Sequence, residues 1–260
     1  MNFDLISDIH RETWQDFDWE GQPTSQYCIV AGDVARDRTL VLETLKNLSK
    51  FYLGVFYVDG NDEHKNYAED LTTSYNELAE LIAPMENVIY LHDNVVVMNG
   101  IAILATNGWW SYDFDPQLDL EQSVAWVQHK DNISQTAAIN INATAYRDAG
   151  YLVNSMAKLQ TYKDVKSIII VTHTVPTPEI IKHDLQLVDS WRFNSMGNSR
   201  IQDAIKEDCE NKIKLWCFGH YHRPVDTVID GIRYVSNPRG RGNTEFSQTA
   251  YYPKRITITV

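Results

Sequence analysis

Five short apolar runs in this chain each lead into a polar residue able to hold a metal ion, and that repetition constrains the fold more than any other feature. The runs are Phe3 to Ser7, Tyr27 to Ala31, Gly54 to Val58, Ser167 to Thr172 and Leu215 to Phe218. Each is too short for an ordinary helix, rich in β-branched or aromatic residues, and followed by a polar or glycine-containing loop, often with a helical pattern after it. A chain that alternates in this way builds an α/β sheet, and such sheets gather ligands at the carboxyl ends of their strands.

What leaves those runs is chemically specific. Asp8-Ile9-His10 and His220-Tyr221-His222 place two ligand-type side chains at i and i+2, which share one face of extended backbone. Asp33 follows Gly32, so backbone can approach a bound ion closely, and its two carboxylate oxygens suit it to bridge two cations. Asn61, in Gly60-Asn61-Asp62-Glu63-His64, offers an oxygen ligand and an NH2 donor for a phosphate. His173 ends the run through Ile168 to Val171, and Pro176 and Pro178 keep the following loop rigid. Singly, an Asp or Gly-Asn at a strand end also reads as a turn, and a loop histidine as merely solvated.

Bulk properties bound the partners. With 260 residues, 43% hydrophobic and 22% charged, the chain reads as a single domain over residues 1–260. A formal net charge of −12 disfavours extended nucleic-acid binding and anionic membranes, leaving a small or medium-sized ligand. Cys28, Cys209 and Cys217 form no close pair in sequence. They read as thiols of a reducing compartment, and no apolar run approaches the ~20 residues of a membrane span, so the expected location is cytoplasmic, with no membrane partner. Oligomeric state is left open.

Helical patterns follow Asp37, where Leu40, Val41, Leu45 and Leu48 mark a stripe, and cover Tyr67 to Ile82 and Ser199 to Cys209. From 108 to 164 no strand-like run occurs, which predicts a helical insertion or cap. Asp115-Pro116 reads as the start of its first helix, and a second covers much of Gln135 to Leu159. Trp109, Trp110, Tyr112 and Phe114 open this insertion, either lining a cleft or packing it onto the body. Asp230-Gly231 predicts a tight hairpin, and Arg255 to Val260 a closing strand.

Taken in order, Asp8-x-His10, Gly32-Asp33, Gly60-Asn61, Thr172-His173 and Gly219-His220-x-His222 resemble the calcineurin-like metallophosphoesterase superfamily over residues 5 to 222. The resemblance implies a four-layer αββα sandwich of two mixed sheets, with two divalent metal ions at the strand ends. By analogy, Asp8, His10, Asp33 and His222 hold one ion, and Asn61, His173, His220 and the shared Asp33 hold the other. Mixed nitrogen and oxygen ligation suits Mn, Fe, Zn or Ni, with Mn placed first. The implied activity is hydrolysis of phosphate esters, phosphodiesters foremost, by a hydroxide bridging two ions roughly 3.5 to 4 Å apart. Asn61, Asp62 and His173 are then the catalytic candidates, with Asn61 donating to a phosphate oxygen.

Many members of the superfamily read Gly-Asn-His-Glu or Gly-Asn-His-Asp where this chain has Asp62. Asp62, or His64 two positions on, is therefore the candidate proton donor to the leaving group. Arg239, in an Asn-Pro-Arg-Gly stretch that also resembles bacterial members, is a candidate phosphate ligand. The alternatives are a nuclease of the same superfamily, and a phosphate-ester-binding protein that has lost turnover.

Overall fold

A computed structural model of the chain describes residues 1–14, 17–182, 190–242, 244 and 247–259. The first half alternates strand and helix: β1 (Asn2–Ile6), β2 (Tyr27–Ala31), α1 (Arg38–Ser49), β3 (Gly54–Val58), α2 (Leu71–Ile82) and β4 (Val88–Tyr90). These four strands are parallel neighbours, because each crossover returns the chain to the same edge of the sheet. β5 (Asn94–Met98) and β6 (Ile101–Ala105) then form a hairpin through Asn99-Gly100, both at positive φ as a tight turn of this hand requires.

The insertion follows as α3 (Leu120–Asp131) and α4 (Gln135–Thr161), and the chain resumes with β7 (Ser167–Val171), α5 (Ser190–Phe193), α6 (Asp203–Lys206) and β8 (Ile213–Phe218). β9 (Val225–Ile229) and β10 (Ile232–Ser236) form the hairpin at Asp230-Gly231, and β11 (Lys254–Thr257) closes the chain. Two mixed sheets result, in the orders β11-β1-β2-β3-β4 and β5-β6-β7-β8-β10-β9.

Period-two alternation sorts the strand residues into two sets. Phe3, Leu5, Ile29, Ala31, Phe56 and Val58 meet Ile103, Ala105, Ile169, Val171, Leu215 and Cys217 between the sheets. Cys28, Val30, Val55 and Tyr57 face outward onto Val41, Leu45 and Leu48 of α1 and Leu78 and Ile82 of α2. On the far side Leu104, Ile168, Ile170, Trp216 and Phe218 face Leu152, Met156 and Leu159 of α4. The order is helix, sheet, sheet, helix, the expected αββα sandwich, and one strand edge carries the loops of both sheets.

Three helix limits differ from the sequence reading. α2 starts at Leu71 because the Asp70 carboxylate accepts from Thr73 N at 3.0 Å, while Asp62–Tyr67 forms a separate 3-10 turn. α3 starts after Asp119, whose side chain accepts from Gln122 N at 2.9 Å; Asp115 spends its carboxylate on a turn at Gln117. Only Asp203–Lys206 is helical in the stretch expected to run from Ser199, whose hydroxyl donates to Asp113 at 2.7 Å instead of capping a helix. Among the described residues no helix is long and apolar enough to cross a membrane.

Candidate metal centre

The five polar loops leave the carboxyl ends of β1, β2, β3, β7 and β8, which parallel pairing sets side by side. Backbone strain is concentrated there. Asp8, His10, Asp33, His220 and His222 all have φ between 47° and 65°, a region costly for residues with a Cβ. Such strain persists where surrounding structure imposes it, and it marks functional sites. Here it turns each side chain inward. Asp8 N donates to Gly32 O at 2.9 Å and His10 N to Asp33 O at 3.1 Å, locking the first loop onto the second.

Two ligand-type clusters form around Asp33. Donor atoms of Asp8, His10, Asp33 and His222 lie within 4.8 Å of one another, as do those of Asp33, His173 and His220. His10 Nε2 is 2.9 Å from His222 Nε2 and 3.7 Å from Asp33 Oδ2, and His222 Nε2 is 3.4 Å from Asp8 Oδ1. His173 Nε2 lies 3.3 Å from Asp33 Oδ1 and 3.1 Å from Asn61 Oδ1. The seven residues named from sequence are thus brought together at one place, six of them in the two clusters and Asn61 beside His173. His173 Nδ1 faces Ala31 O at 3.0 Å, and a proton donated there leaves Nε2 as the inward lone pair. His220 Nε2 faces Ser195 O at 2.9 Å, which leaves Nδ1 as its inward nitrogen.

Three observations show that the cavity fits cations. Asp8 Oδ2 is buried with no hydrogen-bond partner. Glycines open the space: a Cβ on Gly32 would stand 2.3 Å from His173 Nδ1, one on Gly60 2.2 Å from Asp33 Oδ1, and one on Gly219 2.7 Å from Asp8 Oδ2. The electrostatics also demand positive charge. Burial opposes ionisation of Asp33, but His173, His10 and His220 hold it well below the usual carboxylate range. Burial likewise opposes charge on His10 and His173, yet Asp62, Glu12 and Asp33 push His10 up to about 9, and Asp33 and Asp8 push His173 up to about 10. The carboxylates thus favour positive charge in the cavity, which divalent ions would supply.

The two candidate proton donors named from sequence are held by other partners. Asp62 is buried and accepts from Arg36 Nε at 3.2 Å and Arg241 Nη2 at 2.6 Å. Burial and Asp33 would raise its pKa, but His10 and Arg241 outweigh them and hold it below the ordinary range. An ionised carboxylate between guanidinium groups is an acceptor. His64 is fully buried behind the site, with Nδ1 2.7 Å from Ser74 Oγ and Nε2 3.0 Å from Asp59 Oδ2. Arg239 is also placed elsewhere: its guanidinium lies over Trp14, 4.1 Å from the ring centroid, in a pocket beside Phe17, Trp19 and Tyr251.

Arg36, Arg241 and Glu63 were missed, and Arg36 lines the cleft beside Asp62. Arg241, not Arg239, lines the cleft over the metal cluster. Glu63 is a buried strut: Oε1 accepts from Val34 N at 2.7 Å and from the Tyr57 hydroxyl at 3.0 Å, and Oε2 from Gly60 N at 2.9 Å, tying the Asp33 loop to the Asn61 loop. Its signal was its place as the acidic residue closing the Gly-Asn-x-Glu pattern.

A cavity of about 440 Å³ opens above the clusters. Trp109, Trp110, Trp126, Ile133, Ile141 and Met196 give it an apolar wall, and Arg36, Lys65, Lys130, Arg192 and Arg241 a basic one. Trp110 stacks on His220 with centroids 5.6 Å apart. All four aromatics are buried; Trp109 and Trp110 also line the cleft, whereas Tyr112 and Phe114 only pack the insertion onto the body.

No protein-family model matches the chain, and no curated protein matches it. Solved structures do match. The phosphopantetheinyl hydrolase of Mycobacterium tuberculosis aligns over 93% of this chain and 90% of its own, at 17% identity and a TM-score of 0.71. A proposed 5'-nucleotidase from Staphylococcus aureus aligns over 92% of this chain and 49% of its own, at 11% identity and a TM-score of 0.47. At these identities the likeness is one of fold, and the first alignment carries it across nearly the whole chain. The two packed mixed sheets with helices on their outer faces are consistent with the calcineurin-like metallophosphoesterase fold.

Proposed function

We propose that the chain is a metal-dependent phosphoric ester hydrolase that takes two divalent ions, Mn first with Fe, Zn or Ni as alternatives, and acts on small or medium-sized phosphate esters, phosphodiesters foremost. The observation that carries this reading is the pair of clusters meeting at Asp33, one of them holding an orphaned Asp8 oxygen, under a cleft lined with basic side chains. Asp8, His10, Asp33 and His222 would hold one ion; Asp33, Asn61, His173 and His220 the other. Bound there, two divalent ions supply Lewis acidity and a hydroxide nucleophile at neutral pH. The chain's own part is to fix the donors, to orient the phosphoryl group through the Asn61 amide, and to shield it with Trp110 and Met196.

Diester preference is supported by the state of Asp62 and His64. Neither is placed to give a proton to the cleft, and a diester with a good leaving group has less need of one. The three unpaired cysteines support a reducing, cytoplasmic setting.

The test is turnover of paired chromogenic phosphate mono- and diesters with added Mn2+, by the native chain and His173→Ala. A phosphopantetheinyl ester belongs in the panel, since the fold neighbour aligned over 93% of this chain is a phosphopantetheinyl hydrolase. Diester turnover lost on chelation and in His173→Ala supports the reading. A preference for single-stranded DNA moves it to a nuclease, and metal binding without turnover of any ester moves it to a binding protein.

A further inference from the structure

Asp62 holds two guanidinium groups at the cleft wall, and neither is consumed by the contact. Arg36 uses Nε and Arg241 uses Nη2, both toward Asp62 Oδ2, at 3.2 and 2.6 Å. A guanidinium has five N–H donors. Beyond Asp62, Arg241 Nη1 has Glu12 Oε1 at 3.7 Å, longer than a hydrogen bond. Arg36 and Arg241 are 39% and 26% exposed, whereas the carboxylate between them is buried. Both line the cavity together with Asp33, Asn61, His220 and His222.

The pair is also in register with the metal centre. Asp62 N donates to Asp33 Oδ1 at 2.8 Å, so the carboxylate that aligns the arginines is tied to the residue common to both ligand clusters. His10 Nδ1 lies 3.2 Å from the same Asp62 oxygen. One buried carboxylate thereby fixes two cationic forks at a set position relative to the ions' donors.

We infer that Arg36 and Arg241, aligned by Asp62, form an anion subsite that takes the phosphoryl oxygens of substrate and of product phosphate. Asp62 is then a positioning residue rather than a proton donor. The nature of the anion rests on the phosphoesterase reading above. Planar forks pair with two oxygens at once, so lysine at either position is a poor substitute.

The test is calorimetric titration of inorganic phosphate into the Mn2+-loaded chain, native and as Arg36→Gln, Arg241→Gln, Arg241→Lys and Asp62→Asn, with metal content measured on each sample and KM and kcat on a chromogenic diester. Each Arg→Gln change is expected to weaken phosphate binding by about 10- to 100-fold with metal content unchanged, since a hydrogen bond to a charged group is lost. Arg241→Lys recovers only part, and Asp62→Asn weakens phosphate binding and raises KM without displacing metal. Native-like phosphate affinity in both Arg→Gln variants overturns the subsite, as does loss of metal together with phosphate. Native-like affinity in Asp62→Asn overturns the positioning role. Phosphate binding that follows this pattern without turnover of any ester leaves the subsite standing and removes the hydrolase reading.

Discussion

His10 and His222, far apart in the chain, face each other with their Nε2 atoms 2.9 Å apart. Two neutral lone pairs at that distance repel, so a proton or a cation must lie between or beside them. Asp62, Glu12 and Asp33 favour a proton on His10, whereas burial and the charge of His10 hold His222 well below the ordinary histidine range. A divalent ion held by these residues would take the place of that proton and offset the charge of the buried carboxylates.

Metal should therefore stabilise the fold as well as enable chemistry. Added Mn2+ at about 100 times its Kd contributes about 2.7 kcal/mol, which corresponds to a rise of roughly 5–10 °C in the melting midpoint. Differential scanning calorimetry of the native chain and His222→Ala checks this. A midpoint that Mn2+ leaves unchanged in the native chain contradicts it.

Glycine substitutions at and away from the site should part company. In Gly60→Ala the new Cβ lies 2.4 Å from Asp33 N, a backbone atom that has no room to yield. The expected cost is about 1–3 kcal/mol, with turnover falling at least about 100-fold as Asp33 is displaced. Gly150→Ala, inside α4 with nothing within 4 Å of the added carbon, should instead stabilise by roughly 0.5–1 kcal/mol. Urea midpoints of the two variants decide it.

Asp148 makes stability fall as pH rises. Burial and the charge of Asp93 push its pKa up to about 7, although Gly108 N donates to it at 2.9 Å. The folded state binds this proton more tightly than the unfolded chain, so the contribution is fully present below the ordinary carboxylate pKa and is lost as pH passes about 7. Asp148→Asn should flatten the profile between about pH 4 and 7, by an amount of the order of a few kcal/mol. Equal slopes in native and variant unfolding curves would rule out the linkage.

Trp110 supports His220 from the cleft side. Its replacement by Ala should lower kcat/KM by roughly 2- to 10-fold, the value of one aromatic contact, with Phe retaining most of it. Steady-state kinetics with a diester carrying an apolar leaving group would show the difference. Identical values for Ala and native would sink the stacking role.

The ligand set was legible because each member sits immediately after an apolar run, so local sequence places it at a strand end. The residues governing Asp62 were not legible for the opposite reason. Arg241 reaches it from 179 positions away, and Arg36 only because the Asp33 loop folds beneath the Asn61 loop. Arg239 misled because Gly240 lies at φ 78°, which breaks the alternation that would keep Arg239 and Arg241 on one face. Ser199 shows the same limit: its capping-box spacing is real, but Asp113 offered a partner that spacing alone does not reveal.

The most direct test of the central claim is a metal count by mass spectrometry on the Mn2+-equilibrated native chain and Asp33→Asn, with diester turnover measured on the same samples. Sharing of Asp33 between two ligand clusters predicts about two ions per native chain, loss of both or retention of one weak ion in the variant, and turnover that disappears with them. A native chain that holds no ion, or that hydrolyses the diester equally well after chelation, would contradict the account.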